Sequence, residues 1–219
     1  MKKFLLTVVC VAGVVACNRV SADSITYELK VASTSDGELA GYPGPYGTVT
    51  VDLTSPTTAT ITFASLTAGG NIYLFGDGRS VDVNVNAASF SVSAISGSNA
   101  GTGFTPGPPY GVTTGFADGF GYYNLAITSR DGFYSSQDLL TFVLTDLSGT
   151  WASPTSVLTR NASGYLAAAH IYVTEDPAVW AVENLKAQGY AAAVPDGGMT
   201  AALLGLGMLG LGFFARRKA

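Results

Sequence analysis

Apolar and polar residues alternate along most of the chain with a period of two. Ile25 to Val31, Thr48 to Leu53, Thr60 to Phe63, Ser80 to Asn86 and Phe90 to Ile95 all show it. Tyr122 to Thr128, Leu139 to Thr145 and Ala168 to Val173 continue the series. Successive side chains of a strand point to opposite faces, so this alternation predicts strands buried on one side. Thr, Val, Ile, Tyr and Phe fill them, residues that suit a pleated, half-buried surface. Turn signals stand between the strands: Tyr42-Pro43-Gly44-Pro45, Gly69-Gly70-Asn71, Gly76-Asp77-Gly78, Asp118-Gly119 and Asp131-Gly132. Short strands set apart by Gly- and Pro-rich turns predict an all-β domain, an antiparallel β-sandwich of jelly-roll-like arrangement, with a barrel as the second topology.

Two stretches depart from the alternation. Gly101 to Gly111 is rich in proline and glycine and reads as a surface loop. Asp176-Pro177 supplies a helix cap and a first-turn proline, and Val179, Val182 and Leu185 follow at helical spacing. A short helix over Ala178 to Gln188, ended by Gly189, is expected there. Tyr190 to Ala193 is then read as an Ala-rich linker. The β-sandwich ectodomain is accordingly drawn at residues 23–189 and the linker at 190–193. No repeat of 20–50 residues is evident, so neither a solenoid nor a propeller is expected.

Both ends of the chain carry targeting patterns. Lys2-Lys3 precedes an apolar run from Phe4 to Ala16, and Val20-Ser21-Ala22 offers small or modest residues before Asp23. This is the order of a secretory signal peptide over residues 1–22, cut by signal peptidase between Ala22 and Asp23. Val14-Val15-Ala16-Cys17 is a loose lipoprotein box and would instead lipidate Cys17. At the other end, residues 194–219 have three parts: a short motif, an apolar segment at 199–215, and Arg216-Arg217-Lys218. The apolar segment has no polar face and is about 17 residues long, the lower edge of what spans a bilayer as a helix. Its glycines are costly in a water-exposed helix and common in membrane ones. The basic end would stay on the cytoplasmic side of the inner membrane, leaving the domain outside.

Composition narrows the chemistry. Cys10 and Cys17 are the two cysteines, so signal cleavage leaves an exported chain without disulfides, thiolate metal sites or a cysteine nucleophile. Between Asp23 and Pro195 there are five basic residues against fourteen acidic ones, a net of −9. Such a surface lacks the positive footprint that nucleic acid requires. His170 is the single histidine and Gly-x-Ser-x-Gly does not occur. No catalytic constellation is visible, so neither an enzyme nor a cofactor is expected. Asp82-x-Asn84-x-Asn86 starts like a calcium loop but lacks its glycine and closing glutamate, and on a strand the three would share the solvent face. Asn161-Ala162-Ser163 fits a glycosylation sequon. Three functions remain: a structural or adhesive surface protein, a carbohydrate-binding module and a hydrolase. The second would use Phe116 to Tyr123, Phe133-Tyr134 or Tyr42 to Tyr46. It requires an exposed row of aromatics beside Asp or Asn.

The tail resembles the PEP-CTERM class of bacterial sorting signals, in its VPDSG variant. Val194, Pro195, Asp196, Gly198 and Thr200 match that motif, whereas Gly197 and Met199 stand where the variant commonly has serines. Pro195 favours an extended chain and Asp196-Gly197-Gly198 leaves a bare backbone, both suited to a protease substrate. The stretches Asp118 to Asn124 and Leu158 to Ile171 are similar to ectodomains found with such tails. The resemblance implies export, processing near the motif by an exosortase, and a cell-surface or matrix location among extracellular polysaccharide.

Overall fold

The computed structural model describes residues 23–35, 38–76, 79–99, 110–129, 136–175 and 186–195. The expected signal peptide, the turns at Asp77 and Asp131, the loop over residues 101–109, Phe133-Tyr134, residues 178–185 of the helix and everything from Asp196 onward lie outside them. The domain is all-β and its strands form one antiparallel sheet. In chain order they are β1 (Asp23–Ala32), β2 (Gly47–Ser55), β3 (Thr58–Ser65), β4 (Thr67–Ala68), β5 (Asn71–Phe75), β6 (Arg79–Val83), β7 (Phe90–Ser98), β8 (Gly111–Ala117), β9 (Gly121–Thr128), β10 (Leu139–Asp146), β11 (Ala167–Thr174) and β12 (Ala187–Ala193). All eight alternating stretches fall on strands, although β6 ends at Val83, short of Asn84 to Asn86. Their order across the sheet is β7-β10-β3-β2-β1-β12-β11-β6-β9-β8, with β5 also on β11 and β4 on β5.

The sheet folds back on itself. From β3 to β5 the path crosses five strand spacings, about 24 Å if the sheet were flat. Yet the rings of Phe63 on β3 and Phe75 on β5 are 6.1 Å apart, edge to face. The sheet thus curls until β5 comes back beside the strands at the other side of the path. Phe75 also exchanges two 2.7 Å backbone hydrogen bonds with Gln137, just ahead of β10. That bridge closes a circuit of β10, β3, β2, β1, β12, β11 and β5. Inside sit Leu29, Val49, Val51, Ile61, Phe63, Phe142 and the odd-numbered residues of β11, all buried.

β11 is the pivot. Its second half pairs with β5 and its first half with β6, so β5 and β6 act as one interrupted strand that splits at Gly76. Gly76 is needed there, since a Cβ would lie 2.6 Å from the ring of Tyr172. Every residue of β11 is buried. Its odd side faces the main core, while Ala168 on its even side belongs to a second cluster with Ala117, Phe120, Tyr123 and Ala192. The β8–β9 hairpin supplies this cover by laying its tip on the outer face of the sheet.

The expected linker and the end of the expected helix are corrected here. Ala187–Ala193 is β12, paired with β1 on one side and β11 on the other. Three Ala–Ala pairs join it to β11: Ala167 with Ala193, Ala168 with Ala192 and Ala169 with Ala191. Small side chains on both faces let the inner core and the hairpin tip approach closely. Its second half, Ala191 to Ala193, is buried on both faces and shows no alternation, which is why the Ala-rich stretch read as a linker.

Candidate functional site

The β8–β9 hairpin carries the most unusual surface. Gly119 and Gly121 at its tip have φ of +80° and +85°, backbone that side chains rarely adopt. Further down, three residues of β8 (Thr113 to Gly115) face four of β9 (Tyr123 to Ala126), a bulge that turns Tyr123 to the outer side. Phe116 and Tyr122 pair across the strands on the opposite side, ring centroids 4.7 Å apart and tilted by 55°. They are 37% and 76% exposed, and Val112 on the same side of β8 is 52% exposed.

Asparagines lock this hairpin. Asn161 Nδ2 donates to the carbonyls of Phe120 (2.9 Å) and Tyr122 (3.1 Å), while its Oδ1 accepts from the backbone of Ser163 and Tyr165, each at 3.0 Å. Asn124 exchanges two 2.8 Å bonds with the backbone of Val85. The sequon asparagine is therefore buried and its amide committed to the fold. The aromatic row required by the carbohydrate reading exists at Phe116 and Tyr122, but the amides of Asn124 and Asn161 are engaged by backbone. Of the other aromatics proposed, Tyr46 is buried against Tyr73 (5.1 Å, edge to face) and its hydroxyl donates to Tyr42 O at 2.9 Å.

Asp82, Asn84 and Asn86 do not share a solvent face as expected. Asp82 is fully buried beside Ala126 and Ala168, Asn84 is half-buried and Asn86 exposed. β6 ends at Val83, so the alternation stops before the two asparagines. Asn84 Nδ2 donates to Arg160 O (3.2 Å) and Asn86 Nδ2 to Ser156 O (2.9 Å), so their amides serve the fold and do not converge with Asp82. Gly115 makes room for Asp82: a Cβ there would lie 1.6 Å from Asp82 Oδ1. Burial and the neighbouring Asp82 charge push the Tyr123 phenol well above the usual tyrosine range. Among the described residues, no three His, Cys, Asp or Glu side chains cluster as metal ligands.

His170 lies within β11, not at its start. It stacks on Tyr190 at 4.7 Å and 20°, with Tyr172 at 5.1 Å. Burial holds its pKa below the usual 6.5, opposed by a hydrogen bond with the Gly76 backbone and by the Asp118 charge. The ring is thus held between tyrosines with its charged form disfavoured.

The C-terminal junction completes the picture. β12 runs to Ala193 without a break, and Val194 and Pro195 remain half-buried where the chain leaves the sheet. Residues 193–218 match the family model described as VPDSG-CTERM motif. The tail is a VPDSG-CTERM motif. It implies export and processing by an exosortase at the membrane. No curated protein and no solved structure matches the chain. Among the described residues no helix is long and apolar enough to cross a membrane; the apolar segment at 199–215 lies outside them. The VPDSG-CTERM motif begins at the last residue of the central strand, with no spacer between. Sequence reasoning missed this abutment because it missed β12. The Ala191–Ala193 run opposite Ala167–Ala169 was the available signal.

Proposed function

We propose that this is an exosortase-sorted protein of the cell surface or extracellular matrix, whose sandwich-like β-domain is a non-catalytic structural or adhesive part. The observation that carries the reading is the VPDSG-CTERM motif at residues 193–218, joined directly to the strand at the centre of the sheet. Phe63 packed on Phe75 inside the curled sheet supports a sandwich-like or barrel-like domain. His170, wedged between Tyr190 and Tyr172 with its cationic form disfavoured, supports a structural role for the one histidine.

The junction restricts where processing can act. Ala193 pairs with Leu29 on one side and Ala167 on the other. A cut upstream would pull an inner strand out of the sheet and leave both neighbours unpaired. This supports a scissile bond after Ala193, in Val194 to Gly198. Mass spectrometry of the surface-bound and released protein from its own cells tests this. An N-terminus at Asp23 and a C-terminus within Val194 to Gly198 are expected. A chain still carrying Arg216-Arg217-Lys218 at the surface would reject exosortase processing in favour of a simple membrane anchor.

The exposed Phe116–Tyr122 pair favours a second reading, a carbohydrate-binding module for extracellular polysaccharide. Sugars stack on aromatic faces, and saturable binding to a polysaccharide panel, lost in Tyr122→Ala, is the result expected of it. No saturable binding anywhere on the panel would reject it.

A further inference from the structure

The path of the sheet ends at two strands, β7 and β8, and they are built differently. An edge strand offers a row of backbone donors and acceptors to any chain that can align with it, and proteins blunt such edges with bulges, charges or prolines. β7 is blunted. Its register with β10 slips between Thr141 and Val143, and Ala94 in the slipped stretch adopts φ +49°. β8 has no such device. It is the seven-residue run Gly-Val-Thr-Thr-Gly-Phe-Ala, without a charge or a proline. The bulge in this hairpin puts its extra residue on β9, leaving β8 regular. Among the described residues, β9 is the one ladder partner of β8.

We propose that β8 is a self-association edge, on which a second copy of this chain adds its own β8 antiparallel across a two-fold axis at Thr114. The sequence of the strand selects that partner. With Thr114 opposite Thr114, Val112 of one copy faces Phe116 of the other, and the reverse pair repeats it. Both residues lie on the exposed side of the strand. A β-branched residue opposite an aromatic one is a favourable cross-strand pair. An uncharged strand meets itself without like-charge repulsion, which matters in a domain of net −9. Gly111 falls opposite Ala117 and Thr113 opposite Gly115, so nothing bulky clashes on the other side. The product is a sheet continuous through two molecules. This rests on the reading of the domain as a structural part of a surface layer.

The test uses the full-length chain expressed in its own cells, carrying Thr114→Cys. Cys10 and Cys17 fall in the expected signal peptide, whose removal leaves the mature chain with the new thiol alone. Residues directly opposite in antiparallel strands bring their Cβ atoms within reach of a disulfide. Most of the mature protein should then migrate as a disulfide-linked pair of one chain, while Ser91→Cys on the blunted edge β7 stays single. Thr114→Lys, exposed and so able to fold, should weaken the association of the purified mature protein at least tenfold by sedimentation, with its melting temperature unchanged. A Thr114→Cys protein that stays single with a maleimide-reactive thiol overturns the proposal. So do equal dimer yields at both edges, a mixed disulfide with a different protein, or a monomer whose Val112 and Phe116 are protected by added polysaccharide. Correct mature ends without dimers would fail this inference and keep the sorting reading; dimers on an unprocessed chain would do the opposite.

Discussion

Asn161→Ala removes four hydrogen bonds in one step. Its amide donates to Phe120 O and Tyr122 O and its carbonyl oxygen accepts from the backbone of Ser163 and Tyr165. A hydrogen bond contributes about 1 kcal/mol net, and more when the partner left behind is buried. Water can reach the groups nearer the surface, so the loss comes to about 2–4 kcal/mol. In a domain of this size that lowers the melting temperature by roughly 5–15 °C. Urea unfolding of the mature protein should show a lower midpoint with an unchanged slope, because the surface exposed on unfolding stays the same. Asn161→Asp is the sharper variant. It keeps the shape and the acceptor but sets a carboxylate oxygen where an amide faced two carbonyls at 2.9 and 3.1 Å. At neutral pH it should cost at least as much as alanine, and part of the loss should return as the medium approaches the ordinary Asp pKa of about 3.9. A cost below about 0.5 kcal/mol for either variant would refute the view that this side chain pins the hairpin to the sheet.

Ala94→Gly should stabilise the protein by about 0.5–1 kcal/mol, read from the urea midpoint, because φ +49° strains a residue with a Cβ. Gly115→Ala should destabilise by about 1–3 kcal/mol through its clash with Asp82 Oδ1, and a double variant with Asp82→Ala should lose less than the sum of the two singles in thermal melts. His170 has a folded pKa below its unfolded value of 6.5, so the unfolded chain binds its proton more readily. Its contribution is complete above pH 6.5 and declines as pH falls through 6.5 toward the folded pKa. His170→Phe, which keeps the ring between the tyrosines, should flatten that part of a stability-against-pH curve.

Patterning alone determined the secondary structure where one face of a strand is wet. Ile25 to Val31 or Leu139 to Thr145 must alternate to bury one side and hydrate the other, and that constraint is local. The tail was equally legible, since a sorting motif is read by another protein as sequence rather than as shape. Two of the strands that escaped show why. β12 ends in three small residues, Ala191 to Ala193, buried on both faces, and β8 exposes both central threonines at the rim; neither situation leaves a period of two. The hairpin site was half visible. Phe116 and Tyr122 stood out as aromatics, but Asn161, forty residues away, gave no sign that it holds them in place. Asp82 looked like a solvent-facing strand residue until β9 and β8 were laid beside it. Local alternation fixes which side of a strand is apolar. Only long-range packing decides which second layer covers the other side, and hence which polar groups are buried and which edges remain open.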